Sequence, residues 1–497
     1  MSSLTSSRPS PINIQKIWWD SLNRIQRRNT LRRPSQLRDS EVRKKVSLIL
    51  EDVKTKKDRA LQALTYEYDG VLLSSIQVAP HEIQKAYEKL DPSVLAAIKD
   101  AINRITTFHQ AQIPKPIVVQ TASGIRCERR YLPISTVGFY IPGGTASLPS
   151  TVMMLGVPAL LAGCQTRILV TPPRKDHSVD EAILVTADLL GITQIYKAGG
   201  AQAIAALAYG TQTIPKVDKI FGPGNSWVTE AKLQVSIESD GAVCDLPAGP
   251  SEVMVIADKD ANPAFIAADL LSQAEHGIDS QVIFVTDCEP LIEKVLLELK
   301  RQVDFLPRRE IALESLAHSL LIQVSSLTDA FQISNDYAPE HLIVQATNPA
   351  QYTHLIRNAG SVFLGPWTPE SLGDYASGTN HVLPTCGFAK AMSGLGTESF
   401  MKSISFQEAT MEGLLEIGPT VVALAEYEKL IAHGNAVQIR LAAQKGVETD
   451  EPTFDQLVLS EGALSPESSG SQKSQDSFEF TMDSTRVLKT LIRENRP

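Results

Sequence analysis

The chain has 497 residues and a formal net charge of −9, too long for a single hydrophobic core and too acidic for a general nucleic-acid binder. Hydrophobic residues make up 43% and charged residues 21%, the balance of an ordinary globular protein. The longest apolar run, TVMMLGVPALLAGC at 151–164, is too short and too interrupted by Gly and Pro to span a bilayer, and the five cysteines form no C-x-x-C pair, so a cytoplasmic, reduced protein with no membrane partner is expected.

The first 33 residues carry Arg at 8, 24, 27, 28, 32 and 33 against the single acid Asp20. This reads either as an organelle transit signal or as a ragged terminus leading into a basic surface helix. We adopt the helix, because Trp18, Trp19, Leu22 and Ile25 fit one apolar stripe. Residues 39–64 read as an amphipathic helical region broken near the lysine cluster. Residues 80–113 read as further helix, started by Pro80, with apolar positions at Ile83, Ala86, Leu90, Leu95, Ile98, Ile102 and Ile105.

From Cys127 the pattern changes to alternating strand and helix. YLPISTVGFYIPGG (131–144), TRILVTPP (166–173), ITQIYKAGG (192–200) and VDKIFGPGN (217–225) read as strands, each followed by an apolar helix. Such alternation predicts a parallel sheet with crossover helices. Gly-rich turns at 142–145, 199–202 and 222–225 expose N–H groups at helix starts, and ligands of such sheets sit beyond the carboxyl ends of the strands. There is no G-x-G-x-x-G fingerprint, so pattern alone leaves a dinucleotide site open.

A second alternating block has strands at 250–258, 280–287, 319–326 and 360–365, joined to the first by DLPAGPSE at 245–252. The expected fold class is α/β, with two Rossmann-like parallel-sheet domains and helical N-terminal and C-terminal segments. The expected divisions are 1–126, 127–245, 246–400, a helical 401–445, and a polar tail at 446–497 whose SPESSGSQKSQDS stretch buries too little to order.

The stretch LLSQAEHG (270–277) puts Gln273 and His276 three apart, on one face of a helix. A neutral imidazole is the commonest zinc ligand and an amide oxygen a poorer one, and two such groups cannot close a site alone. APEHL (338–342), GDYASGTNH (373–381) and EKLIAHGNA (428–436) offer further carboxylates and imidazoles. The remaining histidines, His81, His109, His177, His318 and His354, read as ordinary surface or helix residues.

GFYIPGG, AGGAQAIAALAYGT, FGPGNSWVTEAK, LPAGPSEVMVIAD, LLSQAEHG, APEHL, GPWTPESLGDYASGTNHVLPT and AHGNAVQIR, in that order over roughly 15–445, resemble the histidinol dehydrogenase family. The resemblance implies an NAD-linked, zinc-dependent oxidation of L-histidinol to L-histidine through the aldehyde. It implies zinc ligation by Gln273, His276, Asp374 and His433, and an acid/base pair of Glu340 and His341. Ser251, His381 and Glu428 match substrate-contacting positions, where the zinc ligands and His341 also meet the substrate. Tyr140, Gln202 and Asn225 match positions that contact the nucleotide. It further implies a homodimer in which the exchanged 401–445 segment lends Glu428 and His433 to the partner's site, and in which 127–245 is the nucleotide side and 246–400 the zinc side. Two other readings are kept: an aldehyde-dehydrogenase-like enzyme using Cys244 or Cys386 as nucleophile, and an inactive binding protein on the same fold. Lys57 stands where relatives often have Gly.

Overall fold

The computed structural model describes residues 12–33, 40–143, 147–246 and 249–444. The expected polar tail, part of the 142–145 turn and residues 247–248 of the hinge lie outside them. The described chain forms two compact units, one of residues 12–113 and 133–401, the other of 114–132 and 402–444.

The chain begins with a short strand, β1 (Gln15–Trp18), and after five helices reaches the hairpin β2 (Ile117–Ala122) and β3 (Ile125–Pro133). Five parallel strands follow: β4 (Thr136–Tyr140), β5 (Thr166–Thr171), β6 (Gln194–Lys197), β7 (Lys219–Phe221) and β8 (Val243–Cys244). Their order, β6-β5-β4-β7-β8, is that of a doubly wound dinucleotide fold. The next five, β9 (Glu252–Ala257), β10 (Gln281–Thr286), β11 (Leu320–Gln323), β12 (His341–Gln345) and β13 (Ser361–Leu364), repeat that order with β1 added at the edge: β1-β11-β10-β9-β12-β13. Every residue of β9, β10 and β12 is buried, as expected of parallel strands covered on both faces. The helix Pro149–Ala162 is apolar all round, and nearly all of it is buried.

In the second unit β2 and β3 pair antiparallel, and β14 (Met401–Ala409) joins β3. Two helices follow, Met411–Tyr427 and Ile431–Gln444. Residues 401–409, expected as helix, are therefore strand. Their burial, exposed at eight positions in a row, has no helical period, and an antiparallel partner supplies the backbone hydrogen bonds.

The apolar stripe at Trp18, Trp19, Leu22 and Ile25 is not one helix face. Gln15–Trp18 pairs in parallel with Leu320–Gln323, Ile17 and Trp19 turn into the core, and Ile25 is 73% exposed. An open edge of a buried sheet satisfies the backbone more completely than an isolated helical turn. After a 3-10 turn at Trp19–Ser21, an α-helix forms at Arg24–Thr30, behind an Asn23 capping box.

The helix Asp58–Asp69 starts from Lys57 at φ 56° and ψ −129°, a conformation that glycine adopts without strain and lysine does not. Its ammonium donates to the carbonyls of Gly210 (3.0 Å) and Tyr209 (3.4 Å), partly offsetting that strain. Lys57→Gly is expected to raise the denaturant midpoint by about 1 kcal/mol in stability without changing activity. A lower midpoint would show that the two carbonyl contacts outweigh the backbone strain.

Candidate functional site

The helix Pro263–Ala274 is started by Pro263 and an Asn262 cap, and it ends as the chain reaches Gln273 and His276. The short helix Glu370–Tyr375 presents Glu370 and Asp374, four apart and so on one face. His276, Glu370 and Asp374 each offer a ligand atom within 4.8 Å of the others. Gln273 is fully buried. With its nitrogen toward Glu370, the Gln273 amide donates to the two carboxyl oxygens at 2.7 and 3.2 Å and to His341 Nδ1 at 2.9 Å, which leaves its oxygen for a cation.

Glu340 and His341 stand where β12 begins, next to the first residue of β9. The N–H of Glu252 donates to Glu340 Oε2 at 2.9 Å. The Glu252 carbonyl lies 3.1 Å from His341 Nδ1. That ring nitrogen therefore stands between a carbonyl, which can only accept, and the Gln273 amide nitrogen, which can only donate. Nε2 is buried and lies 3.6 Å from Asp374 Oδ1. His381 Nδ1 lies 2.9 Å from the Asp374 carbonyl oxygen, and its Nε2 lies 3.4 Å from Thr151 Oγ1.

The charges here are crowded and dry. Burial pushes the carboxyl groups of Glu340 and Glu370 each up to about 8, and that of Asp269, one helical turn before Gln273, up to about 7. Burial alone would lower His341, but Glu370, Glu340 and Asp374 around it push it up to about 10. Burial would raise Asp374, yet the hydrogen-bonding and charge of His341, with His381 and His276, hold it below its ordinary value. His276 and His381 are lowered by burial. Among these carboxylates a divalent cation would replace the charge that His341 otherwise supplies, leaving the imidazole free to act as a base.

One cleft is lined by Ser251, Glu340 and His381 from the second sheet and by Gly222, Pro223 and Asp245 from the first. The turn at Gly222 is fixed from both sides. Its N–H donates to Asp245, Lys232 donates to its carbonyl and pairs with Asp245, and at φ 119° a Cβ would stand 2.1 Å from the Tyr140 carbonyl oxygen. Only glycine fits there. Tyr140 ends β4, and its hydroxyl accepts from the Gly200 N–H at 3.2 Å. Gln202 is buried in the next helix, and the Asn225 side chain caps the helix Ser226–Ile237 by accepting from the N–H groups of Trp227 and Val228. These three follow the carboxyl ends of β4, β6 and β7.

The fold thus brings Gln273, His276, Asp374, Glu340, His341, His381 and Ser251 to one side of the second sheet. Glu428 and His433 are exposed residues of the other unit. Sequence reasoning passed over Glu370, although its i, i+4 spacing to Asp374 was there to be read. It also passed over Asp269, for which no signal beyond the same spacing to Gln273 existed. The cysteine alternative finds no activated thiolate at Cys244: burial pushes that thiol up to about 11, and its Sγ donates to the Lys232 carbonyl.

A sequence model described as histidinol dehydrogenase matches residues 32–441. The histidinol dehydrogenase of Xanthomonas campestris is 52% identical over 423 residues, covering 85% of this chain and 98% of that one. That of Colwellia psychrerythraea is 50% identical over 427 residues, covering 86% and 98%. The crystal structure of histidinol dehydrogenase from Elizabethkingia anophelis superposes with a TM-score of 0.84 at 46% identity, covering 87% of this chain and 99% of that one. No described helix is long and apolar enough to cross a membrane.

Proposed function

The chain belongs to the histidinol dehydrogenase family, and on that premise we propose that it oxidises L-histidinol to L-histidine through L-histidinaldehyde, with zinc and two NAD+, as the last step of histidine biosynthesis. The observation that carries this reading is the convergence of an imidazole, two carboxylates and an amide on one site, beside a cleft that reaches the Gly222 turn. The donor set is nitrogen and oxygen without thiolate, which suits a Lewis-acidic zinc. Gln273, His276 and Asp374 would hold it, completed in a homodimer by the partner subunit's His433. Bound zinc would anchor the amine and imidazole of histidinol and orient its alcohol. NAD+ would take hydride twice, with Tyr140, Gln202 and Asn225 contacting it at the carboxyl ends of the first sheet.

The protein's own groups move the protons. His341 takes the hydroxyl proton as hydride leaves the alcohol carbon, its ring held at Nδ1 between the Glu252 carbonyl and the Gln273 amide. The aldehyde must then add water to make a second hydride donor. Glu340, whose burial brings its proton affinity near neutral pH, takes a proton from that water, and His341, having released the first proton, takes the hydrate's hydroxyl proton as the second hydride leaves. Ser251 and His381, with the partner subunit's Glu428, border the substrate. Burial of the site keeps the aldehyde from water that is not aimed at it.

Three measurements test this reading. Stripping the metal is expected to abolish NADH formation from histidinol, and adding zinc back to restore it, with two NADH per histidine; full activity after complete removal of metal would refute it. In single turnover, Glu340→Gln is expected to release one NADH per bound histidinol at near-normal rate and the second about 10²–10⁴-fold more slowly, whereas His341→Asn slows both. A second NADH at the wild-type rate in Glu340→Gln would leave Glu340 an orienting role only. Glu370→Leu is expected to weaken zinc binding to the metal-stripped protein about 10–100-fold in a chelator competition, and Glu370→Gln, which can still accept from Gln273, much less. Equal losses in both would make Glu370 itself a ligand.

A further inference from the structure

Arg33 lies more than two hundred residues from the site in sequence, yet it is buried beneath it. Its guanidinium donates to both carboxyl oxygens of Glu252, at 2.8 Å for Nη2 to Oε2, and also to the carbonyls of Tyr337 (2.9 Å) and Ala338 (3.3 Å). Its plane lies 3.8 Å over the Tyr337 ring. Tyr337 closes the helix Leu327–Tyr337, and Ala338 turns the chain through a left-handed φ of 54° into Pro339, Glu340 and His341. Arg33 therefore joins the start of β9 to the turn that delivers β12, and it satisfies carbonyls that a helix end leaves without partners.

Glu252 is the hub of this arrangement. Its side chain takes Arg33 and also accepts from the N–H of Cys386, a residue in a left-handed conformation at the end of the loop that carries His381. Its main chain holds Glu340 through the N–H and His341 through the carbonyl. A shift of the Glu252 main chain would move both groups together.

We propose that Arg33 and Glu252 are positioning residues for the reaction: the ion pair locks the Glu252 main chain, whose N–H aims the Glu340 carboxyl and whose carbonyl holds the His341 ring at Nδ1. This rests on the acid/base assignment of Glu340 and His341 above. A planar fork is needed, because a lysine could reach Glu252 but could not also serve the two carbonyls or stack on Tyr337. A buried ion pair is weak evidence of a contribution to stability, since desolvation of both charges opposes it. Its value here is geometric.

The test uses Arg33→Lys, Arg33→Met and Glu252→Gln in the full-length zinc-loaded enzyme, with Glu340→Gln and His341→Asn as controls. For folded variants, judged by far-UV circular dichroism and a cooperative thermal transition, kcat is expected to fall about 10-fold in Arg33→Lys and about 100-fold in Arg33→Met. Glu252→Gln is expected to fall between them. The KM for histidinol and the bound zinc per subunit are expected to stay within twofold of wild type. A merely structural role would lower the thermal midpoint and leave kcat of the folded enzyme intact, and that result in Arg33→Lys overturns the proposal even if Arg33→Met does not fold. Parallel loss of kcat, KM and zinc also overturns it, by showing general collapse of the site. If the Glu340→Gln and His341→Asn controls retain wild-type kcat, the acid/base assignment is what fails. If they lose it while folded Arg33 variants do not, the positioning role alone fails.

Discussion

Three carboxyl groups, Asp269, Glu340 and Glu370, are withdrawn from water within one small region, with a fourth, Asp374, half-withdrawn beside them. Isolated buried carboxylates are costly, and the protein meets that cost in a different way for each. Asp269 accepts from Gln345, Glu340 from a main-chain N–H, Glu370 from the Gln273 amide, and Asp374 faces His341. None of these partners carries a permanent positive charge. The surplus is what a bound divalent cation would neutralise, and on that reading metal affinity and local folding would be linked at this site.

That constraint explains why the surroundings are so rigid. The site is set on two fully buried parallel strands, β9 and β12, backed by apolar clusters on both faces of the sheet. Strands position a ligand group more exactly than a loop can. The 370–386 segment is pinned to β9, and the turn before Glu340 to the start of β13. Gly360 donates to Pro339, Ser361 to Glu340, and Cys386 to Glu252.

Most of the architecture was legible in the sequence because it comes from local signals. Alternation of apolar runs with Gly-rich turns marked both parallel sheets, whereas Gln273, His276, Asp374, Glu340 and His341 were singled out through the family resemblance, since a Q-x-x-H pair or a single histidine taken alone is more often solvated or satisfied in a core. What was not legible depends on partners distant in the chain. Whether Gln15–Trp18 is strand or helix is decided by the free edge of β11, some three hundred residues away. Residues 401–409 are strand because β3 is there to pair with. Glu370 reads as a solvated helix-start acid, since Glu is common in first turns; only the fold shows it fully buried against Gln273. Arg33 sits in a basic run that reads as surface, and nothing local distinguishes it from Arg32.

The two sheets use opposite ends. In the first, the Gly-rich turns follow the carboxyl ends of the strands, as the rule for open α/β sheets requires. In the second, Ser251, Glu252, Glu340 and His341 cluster where β9 and β12 begin, and His276 precedes β10. The physical difference is which main-chain groups are left over. At the carboxyl end, helix starts present several N–H groups together, which suits a phosphate. At the amino end of a parallel strand single N–H groups stand free beside carbonyls of the incoming turn, and Glu252 uses one of each. A carboxyl group can be held by the N–H and an imidazole nitrogen by the carbonyl of a single residue. An acid/base pair needs such paired donor and acceptor, whereas a dinucleotide needs a row of donors. The cleft lined by Gly222, Pro223, Ser251, Glu340 and His381 joins the amino end of one sheet to the carboxyl end of the other, so on the proposed reading a single cleft would offer both.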